Sequence, residues 1–288
     1  MPDSIHITEC PRDAMQGIKD FIPTDLKADY LNQLLKVGFD TLDFGSFVSP
    51  KAIPQMQDTA QLLQKLDLQG AKSKLLAIIA NARGAQDACQ FEEITYLGFP
   101  FSISETFQQR NTNSGIEESL KRVEEIQSLC SKHHKTLLVY ISMAFGNPYG
   151  DPWNEDIAIN WSKRLSALGI RHLALADTVG SSTPESISRL FSALLPELPE
   201  VKLGAHLHST KEKSQEKIQA AYKSGCRYFD VAIHGFGGCP MAKEELTGNI
   251  ASEDLMFYLN SHQKSTTLNL DELQKSYDLS WKIFNNFH

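Results

Sequence analysis

The sequence is poor in features that would fix a function by themselves. It has five cysteines in 288 residues (Cys10, Cys89, Cys130, Cys226 and Cys239), widely and irregularly spaced. No Cys-x-x-Cys pair occurs, so neither a zinc knuckle nor a disulfide framework is expected. Reduced thiols in a cytoplasmic compartment are the simpler reading. Basic residues are outnumbered by acidic ones, 28 to 35, giving a formal net charge of -7. That shortage argues against a nucleic-acid binder, which needs a basic face to neutralise phosphates. A local basic pocket for a ligand with a few phosphates remains compatible with it. No apolar run reaches the ~18 residues of a membrane span. The opening MPDSIHITEC lacks a basic stretch followed by an apolar one, so no secretory signal or transit peptide is expected. There is no GxGxxG, no P-loop, no GxSxG and no HExxH, which weakens nicotinamide, nucleotide-hydrolysis and esterase readings.

What is present is a globular composition, 41% hydrophobic and 22% charged. The length suits one eight-fold barrel, which takes ~250 residues. Short apolar, β-branched runs at Ser4–Thr8, Thr41–Phe44, Leu75–Ala80, Ile94–Leu97, Thr136–Ser142, His172–Ala176, Val201–His206 and Tyr228–Ile233 read as strands. Between them, apolar residues recur at helical spacing in Thr24–Lys36, Ile116–His134, Asn154–Leu168, Pro184–Leu195 and Ser214–Lys223. Parallel neighbours need crossover helices, so the alternation predicts a parallel sheet. The expected fold is α/β, a (β/α)8 TIM barrel in one domain over residues 1–288, with an additional C-terminal helix over Asp271–Phe284. A doubly wound open sheet is the alternative. Helix starts are expected at Thr24-Asp25, at a capping box Ser114–Glu117, and at Thr183-Pro184.

Polar residues gather where strands end. Strand one runs into Glu9-Cys10-Pro11-Arg12-Asp13, strand two ends near Asp43 and Ser46, and strand three meets Asn81. Strand five ends in Ser142, strand six in Asp177-Thr178 and strand seven in His206-Leu207-His208. In a barrel these ends converge on one mouth, where active sites lie. His206 and His208, at i and i+2, point to one face of a strand and can share a metal ion. The bland reading is one core and one surface histidine. Asp13 adds a hard oxygen, and Asn249 a carbonyl oxygen. Two nitrogens and two oxygens suit Mg²⁺ or Mn²⁺, while a catalytic zinc stays open. Arg12 reads either as half of a salt bridge or as a guanidinium for developing negative charge. The run Gly235-Phe236-Gly237-Gly238-Cys239-Pro240 reads either as a turn with an idle thiol or as a loop carrying an acid–base cysteine. A nucleophilic Cys239 would need a histidine beside it, and His234 is near in sequence. Lys51 and Arg110 are phosphate partners or ordinary surface charges. His133-His134 reads as a solvated helix end.

The set Pro11-Arg12-Asp13 with Gln16, Ser46-Phe47-Val48-Ser49-Pro50-Lys51, Pro54-Gln55-Met56, Ala176-Asp177-Thr178-Val179-Gly180, His206-Leu207-His208, Gly235–Pro240 and Gly248-Asn249 resembles the 3-hydroxy-3-methylglutaryl-CoA lyase family. The match runs nearly the whole chain. Its Arg-Asp and His-x-His parts are shared with isopropylmalate and homocitrate synthases, whereas the Gly-Gly-Cys-Pro and Ser-Phe-Val-Ser-Pro segments point to the lyase. The resemblance implies a carbon–carbon lyase of leucine catabolism that takes an acyl-CoA and pairs as a homodimer. It implies Asp13, His206, His208 and Asn249 as metal ligands, Arg12 as the enolate's partner and Cys239 as proton donor on a closing loop. His206 and Asp177 become the candidates for taking the hydroxyl proton. Three departures stand out. Asp43 replaces the usual glutamate, so a longer or water-mediated contact to Arg12 is expected. Ser209 replaces an aspartate. Met241–Thr247 is one residue longer than the usual spacing, which bears on the acyl group accepted. A lyase for another 3-hydroxyacyl-CoA, or a non-catalytic barrel sensing metal or acyl-CoA, are the alternatives.

Overall fold

The computed structural model describes residues 4–238 and 247–287. Eight parallel strands close into a barrel: β1 (His6–Glu9), β2 (Thr41–Ser46), β3 (Lys74–Ile78), β4 (Ile94–Ser102), β5 (Thr136–Ser142), β6 (His172–Ala176), β7 (Lys202–His206) and β9 (Tyr228–Val231). The ring is shut by β9 pairing in parallel with β1, His6 opposite Tyr228 through Glu9 opposite Val231. The open-sheet alternative is therefore excluded. Two further short strands, β8 (His208–Ser209) and β10 (Gly248–Asn249), form an antiparallel ribbon above the mouth.

The helices are α1 (Pro11–Gln16), α2 (Thr24–Val37), α3 (Thr59–Leu63), α4 (Ala82–Ala88), α5 (Glu105–Thr112), α6 (Ile116–Lys132), α7 (Glu155–Ala167), α8 (Pro184–Glu197), α9 (Lys211–Lys223), α10 (Ser252–Ser261) and α11 (Leu270–Phe284). Their apolar stripes cover the outside of the barrel. In α2 the stripe is Tyr30, Leu31, Leu34 and Leu35, all buried, and Gly38 ends the helix in the left-handed conformation that a Cβ disfavours. Each such leucine, wholly out of water, contributes about 1.5–3 kcal/mol. The C-terminal helix packs on α2 through Leu273 and Ile283.

The lower interior is filled by side chains in a layer of Leu76, Ile78, Leu138, Tyr140 and Ala174. Gly98 makes room for this layer: a Cβ would come 2.5 Å from Ile78 Cδ1, and the isoleucine would have to turn aside. Higher up, the layer turns polar, with His206 edge-on to Tyr140 and bonded to Asp230.

Local starts are read from sequence with mixed success. Thr183 caps α8 reciprocally with Ser186, behind Pro184. The capping box at Ser114–Glu117 does not form: Ser114 Oγ bonds Thr112 Oγ1, and Glu105 accepts from the Ile116 N–H instead. Nor does Thr24 cap its helix, because its hydroxyl is donated to Asp58.

Candidate metal centre and active site

Three elements carry the site. β1 delivers the chain into α1, whose proline at the first turn fits a helix start and whose next residues are Arg12 and Asp13. β7 ends on His206, and the ribbon strand β8 begins on His208. Pairing of β8 with β10 sets Asn249 opposite His208. Donor atoms of Asp13, His206 and His208 lie within 4.8 Å of one another. With Arg12, Gln16, Ser142 and Thr178, the three line a cavity of about 430 Å³.

Each ligand atom is prepared by a neighbour. His206 Nδ1 lies 3.0 Å from Asp230 Oδ2, which aims Nε2 away from the carboxylate. A carboxylate behind a ligating imidazole fixes its tautomer and raises its basicity. Burial lowers the His206 pKa, but Asp230 and then Asp13 outweigh it and the net shift is upward. His208 is pushed down to about 4, by burial first and by His206 second, so it is neutral and able to offer a lone pair. Its Nε2 is buried and has no hydrogen-bond partner among the described residues. A stranded polar atom costs about 1–3 kcal/mol, and a cation held with Asp13 and His206 would remove that cost. Burial raises the pKa of Asp13, yet Arg12 and the two histidines more than offset it and hold the carboxyl below its usual value. A deprotonated carboxylate and two imidazoles, with room beside them, match the donor set of a divalent cation. The residues present fit the metal.

Asn249 meets the site through its nitrogen. Nδ2 donates to Asp13 Oδ2 at 2.7 Å and to Phe236 O at 2.9 Å. It steadies Asp13, and its carbonyl oxygen is the one atom left to offer a cation. The glycine run lies directly against this group. Gly237 has φ +93°, and a Cβ there would sit 2.8 Å from Asn249 Nδ2 and 3.0 Å from Asp13 O, so only glycine fits. Cys239 and most of the lengthened Met241–Thr247 stretch lie outside the described residues.

A second group, Cys10, His206 and Asp230, is equally compact. It is a weaker metal set. Burial first, then Asp230, pushes the Cys10 thiol up, and a metal needs the thiolate.

Arg12 is clamped. Nε and Nη2 reach Asp43 at 3.0 and 2.5 Å, and Nη1 bonds Asp13 Oδ1 and Gln16 Oε1 at 3.1 and 2.8 Å. The longer or water-mediated Asp43 contact expected from the shorter side chain is thus corrected: α1 starts close enough to β2 for a direct fork. Asp43 is pushed up to about 6 by burial, with Arg12 pulling the other way.

Asp177, expected as a proton acceptor, is not brought into the cavity. Its Oδ1 accepts from Ser182 N, and its Oδ2 from Ser182 Oγ and from Lys217 Nζ at 2.9 Å. Lys217 also donates to Gly180 O and His208 O. The pair holds the β6 and β7 loops together. Ser209 is likewise structural, bonding Thr210 O. Sequence reading placed Glu9 among the strand-end residues without a role, and it missed Asp230 and Lys217. Asp230 and Glu9 had a signal, an acidic residue inside or at the end of a strand with no room for water. Lys217 sits in a polar amphipathic helix pattern and had none. Glu9 accepts from Ile233 N and Ser252 Oγ with no cation beside it among the described residues, and burial pushes its carboxyl up to about 8.

A family model described as HMGL-like matches residues 5–279. A Rattus norvegicus protein named as a cytoplasmic 3-hydroxy-3-methylglutaryl-CoA lyase is 34% identical over 290 residues, covering 99% of this chain and 82% of the relative. A Pseudomonas aeruginosa protein named as a 3-hydroxy-3-isohexenylglutaryl-CoA/hydroxy-methylglutaryl-CoA lyase is 32% identical, covering 95% of this chain and 90% of its own. An HMG-CoA lyase structure from Acinetobacter baumannii, solved with coenzyme A and 3-methylmalate, superposes with a TM-score of 0.91 at 30% identity, covering 99% of this chain and 92% of that one.

Proposed function

The chain belongs to the HMGL-like family, and from that premise we propose that it cleaves 3-hydroxy-3-methylglutaryl-CoA to acetoacetate and acetyl-CoA with Mg²⁺ or Mn²⁺. The observation that carries this reading is the convergence of Asp13, His206 and His208 on one cavity beside a clamped arginine. The reaction is a retro-Claisen cleavage. Bound at Asp13, His206 and His208, the cation supplies Lewis acidity that lowers the pKa of the tertiary hydroxyl and orients it.

The chain's own residues do the rest. His206 Nδ1 is committed to Asp230. The remaining nitrogen can bind a metal or take a proton, not both, and we assign it to the metal. The hydroxyl proton then leaves to water in the cavity, and water returns a proton to the Cys239 thiolate after the thiol has protonated the enolate carbon. As the carbon–carbon bond breaks, negative charge moves to the thioester oxygen of the departing acetyl-CoA. Arg12 has an N–H of Nη2 not used by Asp43, and it meets that charge. Cys239, directly after Gly238, is our candidate for protonating the enolate carbon.

The other walls of the cavity, Val48, Ile53, Ile78, Pro100 and Phe107, are apolar. They suit a larger alkyl branch on C3 as well as methyl, which keeps a lyase for another 3-hydroxyacyl-CoA as the second reading. One assay separates the readings. Purified protein is given HMG-CoA or a longer-branched 3-hydroxyglutaryl-CoA with Mn²⁺, and acetyl-CoA release is followed. Fast release from HMG-CoA supports the first reading, and release from the branched thioester alone supports the second. Metal binding with no release from either would make the barrel a sensor. The cytoplasmic setting, homodimer and place in leucine catabolism expected from the resemblance belong to the same proposal. Light scattering checks the dimer.

A further inference from the structure

The metal ligands sit at the ends of β1 and β7 and on the ribbon, yet one of their supports is held from the outermost helix. The Asn249 amide nitrogen has two N–H donors. One goes to Asp13 Oδ2 at 2.7 Å and the other to Phe236 O at 2.9 Å. With both in place the amide is fixed in its plane, and so is the side of Asp13 that it steadies. The position of the Phe236 carbonyl therefore bears on two of the residues assigned to the cation.

That carbonyl is set by a turn the chain does not take freely. His234 has φ +59° and ψ 9°, a left-handed conformation uncommon in residues with a Cβ, and Gly235 follows at φ +67°. Such a conformation persists where the surroundings impose it. Here they come from α10 and α11. Glu253 of α10 accepts from His234 N and lies 2.8 Å from His234 Nδ1. From α11, Trp281 covers the His234 ring, with centroids 4.3 Å apart, and meets Phe236 edge-on. Phe284 stacks on the Phe236 ring at 4.2 Å, with 25° between the planes. Phe284 is in turn seated edge-on against Tyr30 of α2. Aromatic contacts of this kind are selective in angle as well as attractive, and a ring held on two sides locates the backbone that carries it. The reaction uses none of these side chains, and neither Phe236 nor Phe284 lines the cavity.

We propose that Phe236 is a positioning residue for the metal centre: α11 holds its ring, and its carbonyl holds the Asn249 amide on Asp13. The inference rests on the metal reading above. It makes a helix outside the barrel part of what sets metal affinity.

The test is Mn²⁺ titration of chelator-stripped protein, followed by electron paramagnetic resonance, with urea denaturation of the same proteins. Phe284→Ala removes the stacking partner and should weaken Mn²⁺ roughly ten-fold, the lower end for outer partners of a metal ligand. Phe284→Tyr keeps the ring face and should bind Mn²⁺ as wild type does. Trp281→Ala trims a side chain that is 45% exposed, so it loosens the same clamp without opening the core, and it should weaken Mn²⁺ by a smaller factor. Leu273→Ala, on the same helix but packed on α2, should lower the urea midpoint and leave Mn²⁺ affinity unchanged. A Mn²⁺ loss in Leu273→Ala as large as in Phe284→Ala would make the effect one of general stability and overturn the proposal. Wild-type affinity in both Phe284→Ala and Trp281→Ala would overturn it too, and would leave the metal reading standing. A wild type that binds no Mn²⁺ would sink the metal reading and this one with it.

Discussion

Two buried cation–carboxylate pairs flank the metal ligands, Arg12 with Asp43 and Lys217 with Asp177, and they look alike until their donors are counted. Lys217 has three N–H donors and three acceptors, Asp177 Oδ2, Gly180 O and His208 O. It is saturated. Arg12 has five donors. One goes to both oxygens of Asp43, a second to Asp43 Oδ2, and one each to Asp13 and Gln16, which leaves one N–H on Nη2. Arg12 lines the cavity, whereas neither Lys217 nor Asp177 does. Burial alone therefore does not mark a residue of the reaction. A closed hydrogen-bond count marks a brace, and a spare donor facing a cavity marks a group that can act.

Closing or opening these counts tests the distinction. Lys217→Met strands Asp177 without a cation and should lower unfolding stability by about 3–5 kcal/mol, read by urea denaturation. A loss under 1 kcal/mol would mean that the pair braces nothing. Arg12→Lys keeps the charge but has three donors, too few for Asp43, Asp13, Gln16 and a substrate oxygen. It should lower kcat roughly 10²–10³-fold, the weight of one oxyanion donor, and a kcat within three-fold of wild type would break the comparison. Asp230→Asn leaves His206 in place but takes the charge from behind it. Mn²⁺ affinity, followed by electron paramagnetic resonance, should fall roughly 10–100-fold.

Glu9 sharpens the contrast as a buried carboxylate with no cation beside it among the described residues. Below the ordinary carboxyl value of 4.5 it is protonated in both folded and unfolded chains and adds no pH dependence. Between 4.5 and about 8 the folded chain keeps a proton that the unfolded chain has released, so stability falls as pH rises. Above about 8 the slope ends. Gln in its place can accept from Ile233 N and donate to Ser252 Oγ. Glu9→Gln should thus remove from the pH–stability curve a downward slope of at most about 1.4 kcal/mol per pH unit across that window. Parallel curves for the two proteins would show that Glu9 ionises normally.

Much of this was legible in the chain. β5 and β6 fall on their expected bounds, because the apolar runs there end abruptly in polar residues, Ser142 and Asp177. The His206–His208 spacing read correctly as one face, even though the chain leaves the barrel between them to start the ribbon strand β8. Single-residue roles were harder where a distant partner decides them. Asp177 looked like a base at a strand end, and only Lys217, forty residues on, closes its count. The Ser114–Glu117 box lost to Glu105, which accepts the Ile116 N–H at the helix start from the preceding helix. The shorter Asp43 predicted a gap to Arg12, and the approach of α1 to β2 removed it.

The central claim is that Asp13, His206 and His208 hold the cation on which cleavage depends. The direct measurement is acetoacetate formation from HMG-CoA by chelator-stripped protein, titrated with Mn²⁺ beside His208→Ala. The account predicts no product from stripped protein, recovery that saturates with Mn²⁺, and none of that recovery in the variant. Full turnover by stripped wild type, or Mn²⁺ recovery in His208→Ala equal to wild type, would contradict it.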